Sequence, residues 1–484
     1  MGRTVRLVGV DVGSTTTSLV AAHARLVTTT LARVEIVDVE PTFLSELAFT
    51  PFHHDLIDEA QLATLLDRWI DNAGLTGPEI FGGGALVTGL AAQSNNAVAV
   101  TRLIEDRLTG AVVALAGDPR LEAWLAFMGN CHAISLADSQ TPLVNVDIGG
   151  GTTNLAWGQA AQVDATASLM VGARHFQFLP GTYRLRKLSR HGQALLAHLA
   201  IGAGPGDTLG TDQIARICGA YVDLIVAAMD ADEESLQGPL GRLLVQAPCT
   251  TRAAGRPAAR ITLSGGVGRL AYRHLRGEAH SVPSEFGDLG GEMAAQLIER
   301  PAIAQRLLSA RPEALGRATV LGLMRHGSEL SGTTLYLPNP ERLPLPNVPI
   351  LGRIDAHTTD VQLAGMLELV ARCHPAGCLQ VDLDAQDLPA ARHVADQLRR
   401  GLARQPLSDA QTLVLLVAAN LGKLLGGYIT NWGTRGPHLI VVDEIPLRNA
   451  QFVRLGSLRD AVVPLWLFAP LGHDEGQSAW HPGH

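Results

Sequence analysis

Val10-Asp11-Val12-Gly13-Ser14-Thr15-Thr16-Thr17 forms the first polar loop, and Val146-Asp147-Ile148-Gly149-Gly150-Gly151-Thr152-Thr153-Asn154 repeats its chemistry in mid-chain. Each runs from an apolar strand signal through an aspartate, glycine and hydroxyl residues into a second strand signal. In the first, Gly13 lets the turn close tightly and a ligand approach the backbone. Ser14, Thr15 and Thr16 set hydroxyls beside consecutive backbone N–H groups, which suits a polyphosphate. Asp11 at the strand end has the oxygen chemistry that holds a hydrated Mg²⁺. In the second loop, three successive glycines before Thr152 and Thr153 cost more conformational entropy than a plain turn needs. An anion nested against the backbone supplies the reason. Asp147 is then suited to share the metal with Asp11 or to orient an attacking water. A plain hairpin turn is the alternative for the first loop alone, since Gly-Ser-Thr turns are common. The repeated order of strand, aspartate, loop and strand argues instead for an internal duplication.

A third element, Ser264-Gly265-Gly266-Val267-Gly268, follows the apolar strand Ile261–Leu263. The glycine pair there lets a flat adenosine ring slide along the backbone beside Val267. The three elements together predict ATP with Mg²⁺, with Asp11 and Asp147 as catalytic and metal-holding groups. Gly-x-x-x-x-Gly-Lys-Ser/Thr is absent, which removes a P-loop. Gly-x-Ser-x-Gly, His-Glu-x-x-His and the protein-kinase signature set are absent too.

Working outward, Val5–Val10, Thr17–Ala22 and Leu31–Val39 read as strands, Leu56–Ala73 as an amphipathic helix, and Leu86–Thr88 as a short strand before an Ala-rich helix running through Leu108. Leu143–Ile148 restarts the pattern, and Asp212–Asp230 has the spacing of a long helix. Pro338, Pro340, Pro344, Pro346 and Pro349 mark a linker. The expected organisation is a first lobe at 1–140, a second at 141–336, a Pro-rich linker at 337–349, a C-terminal α/β domain at 350–470 and a disordered tail at 471–484. In the C-terminal domain, Gln380–Leu383 and Leu439–Val442 read as strands, and Ala390–Arg404 and Asp409–Leu425 as helices.

The 484 residues are 46% hydrophobic and 4% aromatic, rich in Gly, Ala and Leu, which suits a large α/β protein. A net charge of −8 without a basic block argues against a nucleic-acid partner. Five cysteines without a disulfide-like pattern favour a reduced, cytoplasmic protein. Cys373-His374-Pro-Ala-Gly-Cys378 lacks a second ligand pair and reads as an ordinary loop rather than a metal site. The start carries no targeting segment. The most apolar stretch, Thr412–Ile429, is broken by Asn420 and Lys423, so no membrane partner is expected.

The two loops resemble the phosphate motifs of the actin/Hsp70/sugar-kinase superfamily, and Leu263-Ser-Gly-Gly-Val-Gly268 resembles its adenosine motif. The chain is similar over nearly its whole length to the reactivating factors of ethanolamine ammonia-lyase, the EutA family. Leu86-Val-Thr-Gly89, Phe286-Gly-Asp-Leu-Gly290, Arg317-Ala-Thr-Val-Leu-Gly322, Leu330-Ser-Gly-Thr-Thr-Leu-Tyr-Leu337, Val441-Val-Asp-Glu-Ile445 and Val462-Val-Pro464 carry that closer match. The resemblance implies an actin-like ATPase fold with two duplicated, ribonuclease H-like lobes. It also implies a chaperone that uses ATP and Mg²⁺ to release damaged cobalamin from ethanolamine ammonia-lyase, so that intact adenosylcobalamin can enter. Association with a bacterial microcompartment is left open. One departure is that Thr88-Gly89 is followed by Leu90 where the family has Glu, which bears on hydrolysis more than on binding. Three other classes are weighed. An actin-fold small-molecule kinase would need a substrate-facing carboxylate motif that is not seen. An iron–sulfur activator would need placed thiolates, and the scattered cysteines argue against it. A nucleotide-binding scaffold with little ATPase activity is kept open by Leu90.

Overall fold

The computed structural model describes residues 3–28, 34–53, 56–75, 79–92, 94–108, 112–115, 119–249, 259–278, 282–308, 316–326, 329–331, 334–432, 438–445, 450, 452–458 and 462–468. The expected tail at 471–484 lies outside them.

The first aspartate loop is the bend between β1 (Arg3–Val12) and β2 (Thr16–Thr28), which pair antiparallel from Arg3↔Leu26 to Val12↔Thr17. β3 (Val34–Leu44) follows on the outer side. β4 (Ile80–Val87) then returns parallel to β1, with β5 (Val112–Leu115) beyond it. The order is β3-β2-β1-β4-β5. β4 starts well before the expected Leu86 because it runs through Gly82, Gly83 and Gly84. At Gly83 (φ +116°) a Cβ would lie 1.9 Å from the Val8 carbonyl oxygen, so this ladder needs glycines that a propensity reading places outside a strand.

The second lobe repeats this plan. β6 (Leu143–Ile148), β7 (Thr153–Gln159) and β8 (Gln162–Leu169) form the meander, with β9 (Val245–Ala247) on β8 and β10 (Arg260–Ser264) parallel to β6. The order is β9-β8-β7-β6-β10. Two copies of one meander-plus-parallel-strand sheet, each with its aspartate loop at the same bend, make this an actin-like ATPase fold.

Helix Pro119–Asn130 lies between the lobes, and all its residues from Ala123 to Asn130 are buried. Its apolar side chains pack with Leu86 of the first lobe and with Leu143, Ala156 and Val163 of the second. It crosses helix Ala318–His326 at two glycines. A Cβ on Gly129 would lie 1.8 Å from the Ala318 carbonyl oxygen, and one on Gly322 would lie 2.0 Å from that of Leu125. Ala318, Val320, Leu321 and Met324 share a core with Val5, Leu7 and Phe81. The chain therefore returns to the first lobe before residue 336, where the sequence alone had the second lobe ending.

The expected linker at 337–349 is not one throughout. Its latter part is the start of β12 (Leu345–Ile354), in a seven-stranded sheet ordered β11-β17-β16-β12-β13-β14-β15. The other strands are β11 (Glu329–Leu330), β13 (Ala376–Val381), β14 (Thr412–Val417), β15 (His438–Val442), β16 (Phe452–Leu455) and β17 (Pro464–Phe468). Pro346 falls within a register shift between Leu345 and Val348, where a bulge removes the demand for a ladder N–H, while Pro349 stands opposite Phe452. The expected helix Asp409–Leu425 is also corrected. Thr412–Val417 is a wholly buried parallel strand, and the helix there is Gly422–Ile429. A run apolar on both faces has no alternation to separate it from a buried helix. Arg454 on β16 pairs with Glu105 of the first lobe at 2.8 Å.

Candidate functional site

Both hairpin loops close alike. The Gly13 N–H donates to the Thr16 carbonyl at 3.0 Å, and the Gly149 N–H to the Thr152 carbonyl at 2.9 Å. Asp11 and Asp147 each sit two residues before the loop glycine, so the duplication faces one carboxylate from each lobe toward the other. The loops touch, since a Cβ on Gly150 would lie 1.6 Å from Thr15 Oγ1. Gly265 (φ +75°) turns β10 into helix Gly265–Leu275 so close to β6 that a Cβ would meet the Ile148 carbonyl oxygen at 2.4 Å.

Between the lobes lies a cavity of about 200 Å³. A single water needs only ~10–15 Å³ of such space, so this one has room for a small molecule. Asp11, Gly13, Ser14, Thr15 and Thr16 line it from the first lobe. Asp147, Gly149, Gly150, Thr152, Gly265, Gly266 and Val267 line it from the second. Two expected residues do not. The Thr153 hydroxyl is buried and donates to the Val171 carbonyl at 2.8 Å. The Gly151 carbonyl accepts from His175 Nε2 at 2.8 Å. His175 Nδ1 accepts a hydrogen bond from the Ser189 hydroxyl at 2.7 Å, and burial, with the neighbouring His191, holds its pKa down at about 4. This neutral imidazole braces the second loop from behind.

Four carboxylates line the cavity: Asp11, Asp147, Glu122 and Asp288, the last raised to about 6 by burial against the Gly290 N–H hydrogen bond and the nearby Arg174. Burial and then the charge of Asp147 push Asp11 up to about 7, against a 3.4 Å hydrogen bond from Thr88. Burial raises Asp147 to about 6, against the hydrogen bond from Ser264. The third is Glu122, from the first turn of the inter-lobe helix. Burial, then Asp147, then Asp11 raise it to about 8, while a hydrogen bond from Asn154 opposes them. Like charges held out of water are the arrangement a divalent cation relieves. The buried Thr15 Oγ1 has no partner among the described residues, as suits a phosphate-facing donor. The donor set therefore fits Mg²⁺ with a polyphosphate.

Sequence reasoning did not single out Glu122. Its one signal is a lone acid directly before a helical run that is wholly buried, where a carboxylate needs a reason. It lines the cavity together with Asp11, Asp147 and Asp288. Leu90's own side chain is not among those described.

The model of the family described as "Ethanolamine utilisation protein EutA" matches residues 3–467. The chain belongs to the EutA family. It is 30% identical to the ethanolamine ammonia-lyase reactivase EutA of Escherichia coli (strain K12), over 95% of this chain and 96% of that one. Against the reactivase EutA of Salmonella typhimurium the identity is 29% with the same coverages. Among solved structures, a PPX-GPPA enzyme of Aquifex aeolicus is 14% identical with a TM-score of 0.35, covering 67% of this chain and 91% of that one. The ethanolamine utilization protein EutJ of Carboxydothermus hydrogenoformans is 14% identical with a TM-score of 0.28, covering 66% and 90%. In this EutA-family chain, the Cys373–Cys378 loop holds one half-buried and one buried thiol. The cavity carboxylates line its walls without converging into a group of three that could hold a metal unaided, and no such group occurs elsewhere among the described residues. None of the described helices is long and apolar enough to cross a membrane.

Proposed function

We propose that this protein is an ATP-dependent reactivating chaperone of ethanolamine ammonia-lyase, working in the cytoplasm to promote exchange of damaged cobalamin for intact adenosylcobalamin. The observation that carries the nucleotide part is the pair of matched hairpin loops, each with its aspartate, lining one inter-lobe cavity together with Glu122 and Asp288. Family membership supports the client.

Asp11 and Asp147 would hold the Mg²⁺, and the N–H and hydroxyl groups of Gly13–Thr16 and Gly149–Thr152 the phosphates. When bound, the metal neutralises phosphate charge and polarises the phosphoryl oxygens. Gly265, Gly266 and Val267 present flat backbone to the base. Glu122, at the cavity wall with its proton affinity raised, is suited to take a proton from a water held near the phosphate loops. Because each lobe supplies one loop, a ligand seen by both favours the closed arrangement, and that differential affinity can act on a bound partner.

The test is recovery of inactivated ethanolamine ammonia-lyase given this protein, ATP, Mg²⁺ and fresh adenosylcobalamin. Activity should return, and Asp11→Asn or Asp147→Asn should abolish the return while leaving the protein folded. No recovery above a protein-free control overturns the client assignment. Unchanged recovery in both variants overturns the carboxylate roles.

A further inference from the structure

Behind Asp147 runs a chain of buried polar side chains that the nucleotide reading does not use. On β6, Asn145 and Asp147 point to one face, and on the neighbouring β10, Thr262 and Ser264 stand opposite them in register. Ser264 Oγ lies 2.5 Å from Asp147 Oδ1, and Asn145 Nδ2 lies 2.9 Å from Ser264 Oγ. Asn130 Nδ2, at the last residue of the inter-lobe helix, lies 2.7 Å from Asn145 Oδ1. Thr262 Oγ1 lies 3.0 Å from the same oxygen and 2.8 Å from Cys131 Sγ. Asn145, Thr262 and Ser264 are wholly buried and Asn130 is 6% exposed, so bulk solvent is not an alternative partner.

The direction of these bonds follows from their ends. The Leu263 carbonyl can only accept, and Asn130 Nδ2 is 3.3 Å from it, so the Asn130 amide nitrogen faces inward. Asn145 must then present its oxygen to Asn130 and its nitrogen to Ser264. A nitrogen with two hydrogens can only donate, so Ser264 Oγ accepts, and its single proton is left for Asp147. A reversed Asn145 would draw the Ser264 proton away and leave the carboxylate without a donor.

We propose that Ser264 and Asn145 are positioning residues that hold Asp147 as an oriented hydrogen-bond acceptor, and that Asn130 ties this orientation to the inter-lobe helix. The inference rests on the Mg²⁺–nucleotide reading above and deepens it. Because that helix packs against both lobes, a shift at its C-terminal end reaches the metal-facing carboxylate through three side chains. Lobe arrangement and metal affinity are thereby coupled.

Mg²⁺ titrations of ATP hydrolysis, and of binding of a fluorescent ATP analogue, test this on the full chain with Ser264→Ala, Ser264→Thr and Asn130→Ala. Losing one hydrogen bond to a charged group should raise the Mg²⁺ concentration for half-maximal activity about tenfold in Ser264→Ala. Saturated turnover and Mg²⁺-free analogue binding should stay within about twofold, a split that general loosening does not produce. Ser264→Thr should restore the wild-type midpoint, and Asn130→Ala should move it in the same direction by a smaller factor. An unmoved midpoint in folded Ser264→Ala overturns the inference. So does loss that tracks a lowered melting temperature and is not rescued by threonine. Wild-type protein that binds no Mg²⁺-nucleotide overturns the nucleotide reading as well, which separates the two failures.

Discussion

Replacing Asp147 by Asn should make the nucleotide-free protein more stable while removing its response to Mg²⁺-ATP. Burial raises Asp147 from 3.8 to about 6 in the folded state. Below the unfolded value both states hold the proton and the carboxyl costs nothing. Between about pH 4 and 6 the folded protein keeps a proton that the unfolded chain releases, so stability falls as pH rises. Above about pH 6 the loss is complete. A shift of about two pH units at ~1.4 kcal/mol each amounts to about 3 kcal/mol. Asparagine is uncharged, nearly isosteric and able to accept the Ser264 hydrogen bond through its Oδ1. At pH 8 without metal the variant should therefore melt higher, by roughly 6–12 °C at ~2–4 °C per kcal/mol for a lobe-sized unit. At pH 4 the two should coincide. Mg²⁺-ATP at about 1,000 times its Kd should reverse the ranking, since it stabilises the wild type by about 4.1 kcal/mol. Thermal melts followed by circular dichroism at both pH values, with and without Mg²⁺-ATP, supply every term. A variant that melts lower at pH 8, or a gap that persists unchanged at pH 4, would refute the claim that an unneutralised buried carboxylate strains this site.

Two further outcomes follow from the same geometry. Glu122→Gln should lower single-turnover ATP hydrolysis by about 10²-fold or more while nucleotide affinity changes only a few-fold, and equal losses in both would remove it as the proton acceptor. Gly129→Ala places a methyl 1.8 Å from the Ala318 carbonyl oxygen, where backbone on both sides cannot move aside; it should destabilise by about 1–3 kcal/mol in urea unfolding, and an unshifted midpoint would mean the helix crossing is looser than drawn.

The loops were legible because their chemistry is local. Gly150 is needed because a Cβ there would lie 1.6 Å from Thr15 Oγ1 of the facing loop. The aspartate beside each loop sits at a fixed offset on its strand. Glu122 was not legible, because it joins those aspartates only when a helix distant in sequence from both loops crosses between the lobes. Thr412–Val417 was misread as helix because burial on both faces erases alternation. The start of β12 is hidden by Pro346, which falls where a register shift lifts the demand for a ladder N–H.

By itself, then, the sequence determined a duplicated phosphate-loop ATPase fold, because each aspartate–glycine–hydroxyl bend is encoded in consecutive residues. The tertiary structure alone decided the rest. It set the two loops against one cavity, added Glu122 and Asp288 to their aspartates, and ran the buried line from Asn130 through Asn145 and Ser264 to Asp147. Each of these joins residues far apart in the chain, and their geometry is set by packing rather than by local preference.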